Sequence, residues 1–237
     1  MMILAHRGMW KSLEDKNSLA AISRAFSHGY GLETDVRDHQ GDVVISHDPS
    51  PSDYGVKMKH ASSPVEVEWV LRKAISHALI GDQAEWAKKP NLKIPLAINI
   101  KSDGIGSMII KALENIDIGK FPWFAFDMSV PEMVSYIKLS IPVFTRHSDI
   151  EKFPVLYDQA HGVWLDSFSW PVWYDNKDIK EHLAYGKYVC VVSPELHGHS
   201  AEKVESVWRS IYDSGLFRHS RLMICTDWPE KCRQFMR

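Results

Sequence analysis

Short apolar runs alternate with segments of helical periodicity along most of this chain, and no other feature restricts the fold as much. The runs fall at residues 2–5, 96–101, 123–126, 142–145, 162–165, 188–192 and 222–225, and the more polar stretch 31–37 joins the series as strand two. Each is too short for a buried helix and suits a strand covered on both faces, where near-continuous apolar sequence replaces in-out alternation. The segments between them carry helix signals. Asn17-Ser18 precedes Leu19, Ile22, Ala25 and Phe26, and Gly29 follows as a C-terminal cap. Ser129-Val130-Pro131-Glu132 reads as a capping box. Further helices are expected at 107–116, 149–160, 176–185 and 201–213, with a last one starting near Pro229. Pro154 must break or kink the helix at 149–160.

Strands followed in turn by helices, eight times over, are what a (β/α)8 TIM barrel requires. An open doubly wound sheet is the alternative, but no G-x-G-x-x-G loop supports a dinucleotide fold. The expectation is one barrel domain over residues 1–237, with a β-hairpin and a short insertion after strand two. Strand two runs through the polar turn Asp38-His39-Gln40-Gly41-Asp42 and returns as residues 43–46, bringing His47 back toward Glu33. The insertion covers 49–95. Its first part, with Pro49, Pro51 and Pro64, reads as irregular. Ser63-Pro64-Val65-Glu66 then reads as the capping box of a helix carrying Val67, Val70, Leu71, Ala74 and Ile75 on one side.

At 237 residues the chain suits a barrel of this size, and a net charge of −2 gives no basic field to draw in nucleic acid or an anionic membrane. Cys190, Cys225 and Cys232 form no C-x-x-C; the first two sit in apolar runs and read as buried reduced thiols. No apolar signal region precedes His6 and no run is long enough to span a bilayer, so a cytoplasmic location is expected.

Polar residues gather where the apolar runs end. They are His6 and Arg7, Glu33 and Asp35, Asn99 and Lys101, Asp127, Arg146, Asp166, Glu195 and Asp227. In a parallel barrel the C-terminal strand ends carry the chemistry, so a polar ring at that register marks the active face. Glu33 and Asp35 share one face of their strand. Two adjacent carboxylates repel and are costly to bury ionised, and a divalent cation with oxygen ligands is the usual remedy. Arg7 and Lys101 are cations that can neutralise a phosphodiester. Arg146, Asp166 and Glu195 either select a polar head group or pair with one another.

His6-Arg7-Gly8, Asn17-Ser18, Glu33-x-Asp35 and His47-Asp48, in that order, resemble the glycerophosphodiester phosphodiesterase family, whose pattern is H-R-G, E-N-T, E-x-D and H-D. Asn99-Ile100-Lys101 stands against the family's E-x-K, and Thr226-Asp227-Trp228-Pro229 against its T-D-x-P. The resemblance implies a TIM-barrel phosphodiesterase that cleaves a small-molecule glycerophosphodiester to an alcohol and a phosphomonoester. It implies His6 and His47 as the general acid–base pair, and Arg7 and Lys101 as phosphate-binding residues. It also implies Glu33, Asp35 and Asn99 as holders of one divalent metal ion, Mg²⁺ or Ca²⁺. A polysaccharide-linked or lysophospholipid phosphodiester is the alternative substrate, and a non-catalytic phosphate-ligand binder the alternative class. The chain departs from the pattern in three places. Asn99 replaces a metal-binding Glu, Lys16 replaces the Glu of E-N-T, and Ser193-Pro194-Glu195 stands where the family often has T-x-N.

Overall fold

The computed structural model describes residues 1–49, 65, 66, 70, 71, 73, 94–114 and 122–237, with Val65 and Glu66 in backbone only. Its strands are β1 (Met2–His6), β2 (Gly31–His39), β3 (Asp42–Ile45), β4 (Val65–Glu66), β5 (Leu96–Ile100), β6 (Trp123–Phe126), β7 (Phe144–His147), β8 (Gly162–Leu165), β9 (Tyr188–Val192) and β10 (Leu222–Thr226). Its α-helices are α1 (Leu19–Ser27), α2 (Gly106–Glu114), α3 (Val130–Lys138), α4 (Asn176–Ala184), α5 (Ala201–Asp213) and α6 (Pro229–Phe235).

Eight of the strands run parallel around a nearly closed barrel. β1 pairs with β2 and β10, β2 with β5, β5 with β6, and β7 through β10 pair in series. Between β6 and β7 the contact thins to one bridge, Ala125 with Val143. The expected hairpin is present: β3 pairs antiparallel with β2. Its two-residue turn, Gln40-Gly41, has positive φ at both positions (50° and 89°), which matches the twist of the flanking strands and suits glycine at the second.

Alternation sorts the side chains. Leu4, Ala97, Phe124, Phe126, Phe144, Trp164, Cys190, Val192, Met223 and Cys225 form one buried cluster filling the barrel. Aromatic rings do much of the filling, with Phe126 stacked on Trp164 at 3.9 Å between centroids. The same alternation carried upward points His6, Asn99, Lys101, Arg146, Asp166 and Asp227 inward above that layer. The outward face packs on the helices. Ile22 and Phe26 of α1 and Ile109 and Leu113 of α2 join one core, and Ile179, Val204, Trp208 and Cys232 join another. Full burial of a side chain such as Phe26 contributes roughly 2–3 kcal/mol.

Ser18 caps α1 by accepting from Ala21 N (3.0 Å), and Ser129 caps α3 by accepting from Glu132 N (3.3 Å). Three expectations are corrected. Residues 149–160 form bends and turns, not a helix: Pro154 lacks an N–H, and Ser148 Oγ takes up the Ile150 and Glu151 N–H groups locally. Val65 and Glu66 lie in a strand beside Ile45 and Val44, because the free edge of the hairpin offers them backbone partners; helical residues occur from Val70. At α3 the Glu132 carboxylate does not close the box and instead accepts from Gly104 N (2.9 Å). The rest of the expected 49–95 insertion, with Val67, Ala74 and Ile75, and the end of the 107–116 helix lie outside the described residues. All three cysteines are buried free thiols. Among the described residues no helix is long and apolar enough to cross a membrane.

Candidate active site

The site begins where β1 ends. Ladder register sets His6 beside Glu33 on β2, and Asp35 beside Asn99 on β5. Past His6 the chain turns through two left-handed residues, Arg7 (φ 56°) and Gly8 (φ 84°). A Cβ on Gly8 would meet the Ala21 carbonyl carbon at 2.7 Å, so only glycine lets this loop lie against α1. Arg7 has no such freedom, and its strained backbone is held by bonds at both ends. Its N–H donates to Glu33 O (2.9 Å), and its carbonyl accepts from Asn17 N (2.9 Å). Asn17, itself at φ 60°, accepts from Thr34 Oγ1 and donates through Nδ2 to Asp35 Oδ2, both at 2.9 Å.

Asp35 and Glu33 are both fully buried, yet their environments differ. Asp35 has Arg7 Nε at 2.8 Å and Lys101 Nζ at 3.2 Å. Burial pushes its pKa up, but the two cations and the Asn17 amide outweigh it and hold the carboxyl below the usual range. Glu33 has weaker partners, Asn99 Nδ2 and Arg7 N at 3.3 Å and His6 Nε2 at 3.8 Å. Burial, with the Asp35 charge beside it, pushes Glu33 up to about 7. The pair thus splits, with Asp35 held down by its cations and Glu33 pushed up by burial and by the Asp35 charge.

His6 Nδ1 donates to Asp227 Oδ1 at 2.7 Å. Burial raises the Asp227 pKa, but the His6 hydrogen bond, the His6 and Lys16 charges and a hydrogen bond from Trp10 together outweigh it and hold the carboxyl below the usual range, so Asp227 is the acceptor. The His6–Asp227 bond fixes the ring and leaves Nε2 facing Glu33. Lys16 Nζ stands 3.8 Å from Asp227 Oδ2 and over the Trp10 ring at 4.4 Å. Beneath Asp227, Glu195 Oε1 accepts from Asp227 N (3.0 Å) and from the Thr226 hydroxyl.

His47 follows β3, where Ser46 N donates to Asp35 O (3.1 Å). Its side chain is 43% exposed, its Nδ1 bonds Asp48 Oδ1 (2.9 Å), and its charge acts on Asp35 from the rim. His6, Arg7, Glu33, Asp35, Asn99 and Lys101 therefore form one contact network, and His47 stands beside it. Sequence reasoning placed Asp227 in the ring without recognising it as the partner of His6. It missed Asn17 as the clamp on Asp35.

Across the mouth, Arg146 on β7 spans the thin seam. It pairs with Asp127, with Glu151 (3.2 Å) and with Asp166 (3.1 Å), and His197 Nε2 bonds the other Asp166 oxygen at 2.6 Å. Of the two readings of Arg146 and Asp166, the structure has them paired; Glu195 turns away to Asp227. A cavity of about 450 Å³ lies between Lys101 and Arg146, lined also by Asp127, Met128, Met133 and Glu151.

Among the described residues no three His, Cys, Asp or Glu side chains converge on a metal position. In the expected set the third oxygen would come from an amide. Asn99 Oδ1 is buried with no hydrogen-bond partner, the kind of orphaned acceptor a hard cation satisfies. With Glu33 and Asp35 it makes an oxygen donor set that fits a divalent ion.

No protein-family model matches the chain, and no curated protein matches it. Solved structures do. A phosphodiesterase of Oleispira antarctica, solved in complex with the product sn-glycerol-3-phosphate, aligns over 100% of this chain and 96% of its own at 17% identity and TM-score 0.67. A Ca²⁺-dependent phosphatidylinositol-specific phospholipase C of Streptomyces antibioticus aligns over 100% and 96% at 10% identity and TM-score 0.53. The chain therefore has the (β/α)8 fold found in these phosphodiesterases.

Proposed function

We propose that the protein is a phosphoric diester hydrolase that cleaves a glycerophosphodiester-like small molecule to an alcohol and a phosphomonoester. The observation that carries this reading is the His6–Asp227 pair set against Arg7, Lys101 and two buried carboxylates at the C-terminal strand ends. The Oleispira neighbour, bound to a phosphomonoester product on the same fold, supports it.

In this reading Arg7 and Lys101 release part of their hold on Asp35 to take the non-bridging phosphoryl oxygens, a planar donor and a point charge respectively. Glu33, Asp35 and Asn99 hold a divalent ion, Mg²⁺ or Ca²⁺, which when bound supplies Lewis-acid polarisation of a phosphoryl oxygen. His6, with Nδ1 tied to Asp227, exchanges its proton at Nε2. His47 is the second proton-transfer group, so one histidine takes a proton from the attacking water and the other protonates the departing alkoxide, leaving the alcohol and the phosphomonoester. The whole chain serves as one phosphodiesterase barrel domain. A screen of phosphodiesters with Mg²⁺, Ca²⁺ and Mn²⁺ tests the reading. Release of a phosphomonoester from at least one glycerophosphodiester is expected, and its absence with every ion would favour the phosphate-binding alternative.

A further inference from the structure

The loop after β9 contributes a partly buried carboxyl whose role the reading above leaves open. Glu195 belongs to the Pro194–His197 turn, not to a strand, yet it reaches across to the end of β10. One oxygen, Oε1, receives both the Thr226 hydroxyl and the Asp227 N–H (3.0 Å). Thr226 Oγ1 in turn accepts from Trp228 N (3.0 Å), so three consecutive residues are fixed around one carboxyl. Asp227 is the middle one, and its Oδ1 holds His6 Nδ1 at 2.7 Å.

We infer that Glu195 is a positioning residue for the reaction, acting through Asp227 to orient His6. The inference rests on the assignment of His6 as a proton-transfer group. A strand end is the point where ladder bonds run out, and the Asp227 N–H has no strand partner there. Glu195 supplies that acceptor. Without it the Asp227 carboxylate is free to swing, and Lys16 Nζ, 3.8 Å from Oδ2, pulls it toward the rim and away from His6. Displacement of a catalytic group by about 1 Å costs up to 10²-fold in rate, so the expected penalty is ten- to hundredfold in kcat with KM little changed.

The test reads His6 directly. A hydrogen bond from imidazole Nδ1 to a carboxylate moves the Nδ1 proton far downfield in the ¹H spectrum, and loss of that line in His6→Gln assigns it. In Glu195→Ala the line should broaden or move upfield, kcat should fall as above, and the pH profile of kcat/KM should shift; Glu195→Gln, which keeps an acceptor oxygen, should restore the line and most of kcat. If Glu195→Ala does not fold, Glu195→Asn serves, with the same loss expected. Retention of the downfield line in whichever shortened variant folds would overturn the inference. Because the line is read without substrate, absence of diester turnover would count against the proposed function and not against this one.

Discussion

The two sides of the barrel mouth both contain a histidine–aspartate pair and an arginine among carboxylates, but they are built differently. On the β1–β2–β5 side the strands are joined by continuous ladders, and two cations, Arg7 and Lys101, converge on one carboxylate, Asp35. At Asp35 itself the cations exceed the carboxylate, which leaves donor capacity for an incoming anion. On the β6–β7–β8 side the ladder is broken, and one cation, Arg146, is shared by Asp127, Glu151 and Asp166. An anion gains nothing from an arginine already outnumbered. The same residue types thus do different work: in one place, on the proposed reading, they take a phosphoryl group, and in the other they pair across a seam.

The largest expected effect separates the two histidines. His6→Ala should lower kcat by about 10²–10⁴-fold in a protein that keeps its fold, as loss of a general acid or base does. His197→Ala, which removes the partner of Asp166, should leave kcat within about threefold. Comparable losses in both variants would erase the distinction. Arg146→Met comes next and acts on stability. It strands three carboxylates at the seam and should destabilise the fold by roughly 3 kcal/mol in chemical denaturation, tempered by the exposure of Glu151. An unchanged denaturation midpoint would mean that Phe124 stacked on Phe144, 3.6 Å between centroids, suffices to hold the seam.

Asn99→Glu should tighten Mg²⁺ or Ca²⁺ binding by roughly tenfold in calorimetry at fixed pH, since affinity for hard cations follows ligand charge. Equal affinity in variant and parent would remove Asn99 from the donor set. The smallest effect is one of acid stability in the metal-free protein. Asp227 has a folded pKa below its unfolded value, because the His6 hydrogen bond, the His6 and Lys16 charges and the Trp10 hydrogen bond together outweigh burial. Its ionised form therefore stabilises the fold above the unfolded pKa, and that stabilisation is lost as pH falls through the folded one. Asp227→Asn should flatten this acid limb, and an unaltered limb would place the dependence on other carboxylates.

Much of this architecture was legible in the residues. All eight barrel strands lie within two residues of their expected bounds because most buried parallel strands announce themselves as short apolar runs; the fifth, expected at 142–145, runs Phe144–His147. The polar ring was legible because alternation continues past the strand ends. The failures are local. At 149–160 helical spacing gave way to Pro154 and to the Ser148 hydroxyl, and at Val65 and Glu66 an open sheet edge outcompeted a capping signal. The pairing of His6 with Asp227 is a contact 221 positions apart in the chain, which no local pattern encodes. Nor does spacing reveal that Arg7 and Lys101 share Asp35 while Arg146 is divided among three acids.

The claim that the phosphoryl group binds on the β1–β2–β5 side and not at the seam can be measured without turnover. Calorimetric titration of sn-glycerol-3-phosphate into the parent protein, Lys101→Met and Arg146→Met, well below each unfolding temperature, compares the two sides. Loss of a charge-assisted hydrogen bond costs about 1.5–3 kcal/mol, so Lys101→Met should bind at least tenfold more weakly, with Arg146→Met within about twofold of the parent. The opposite ranking, with Arg146→Met the weaker binder, would contradict the account.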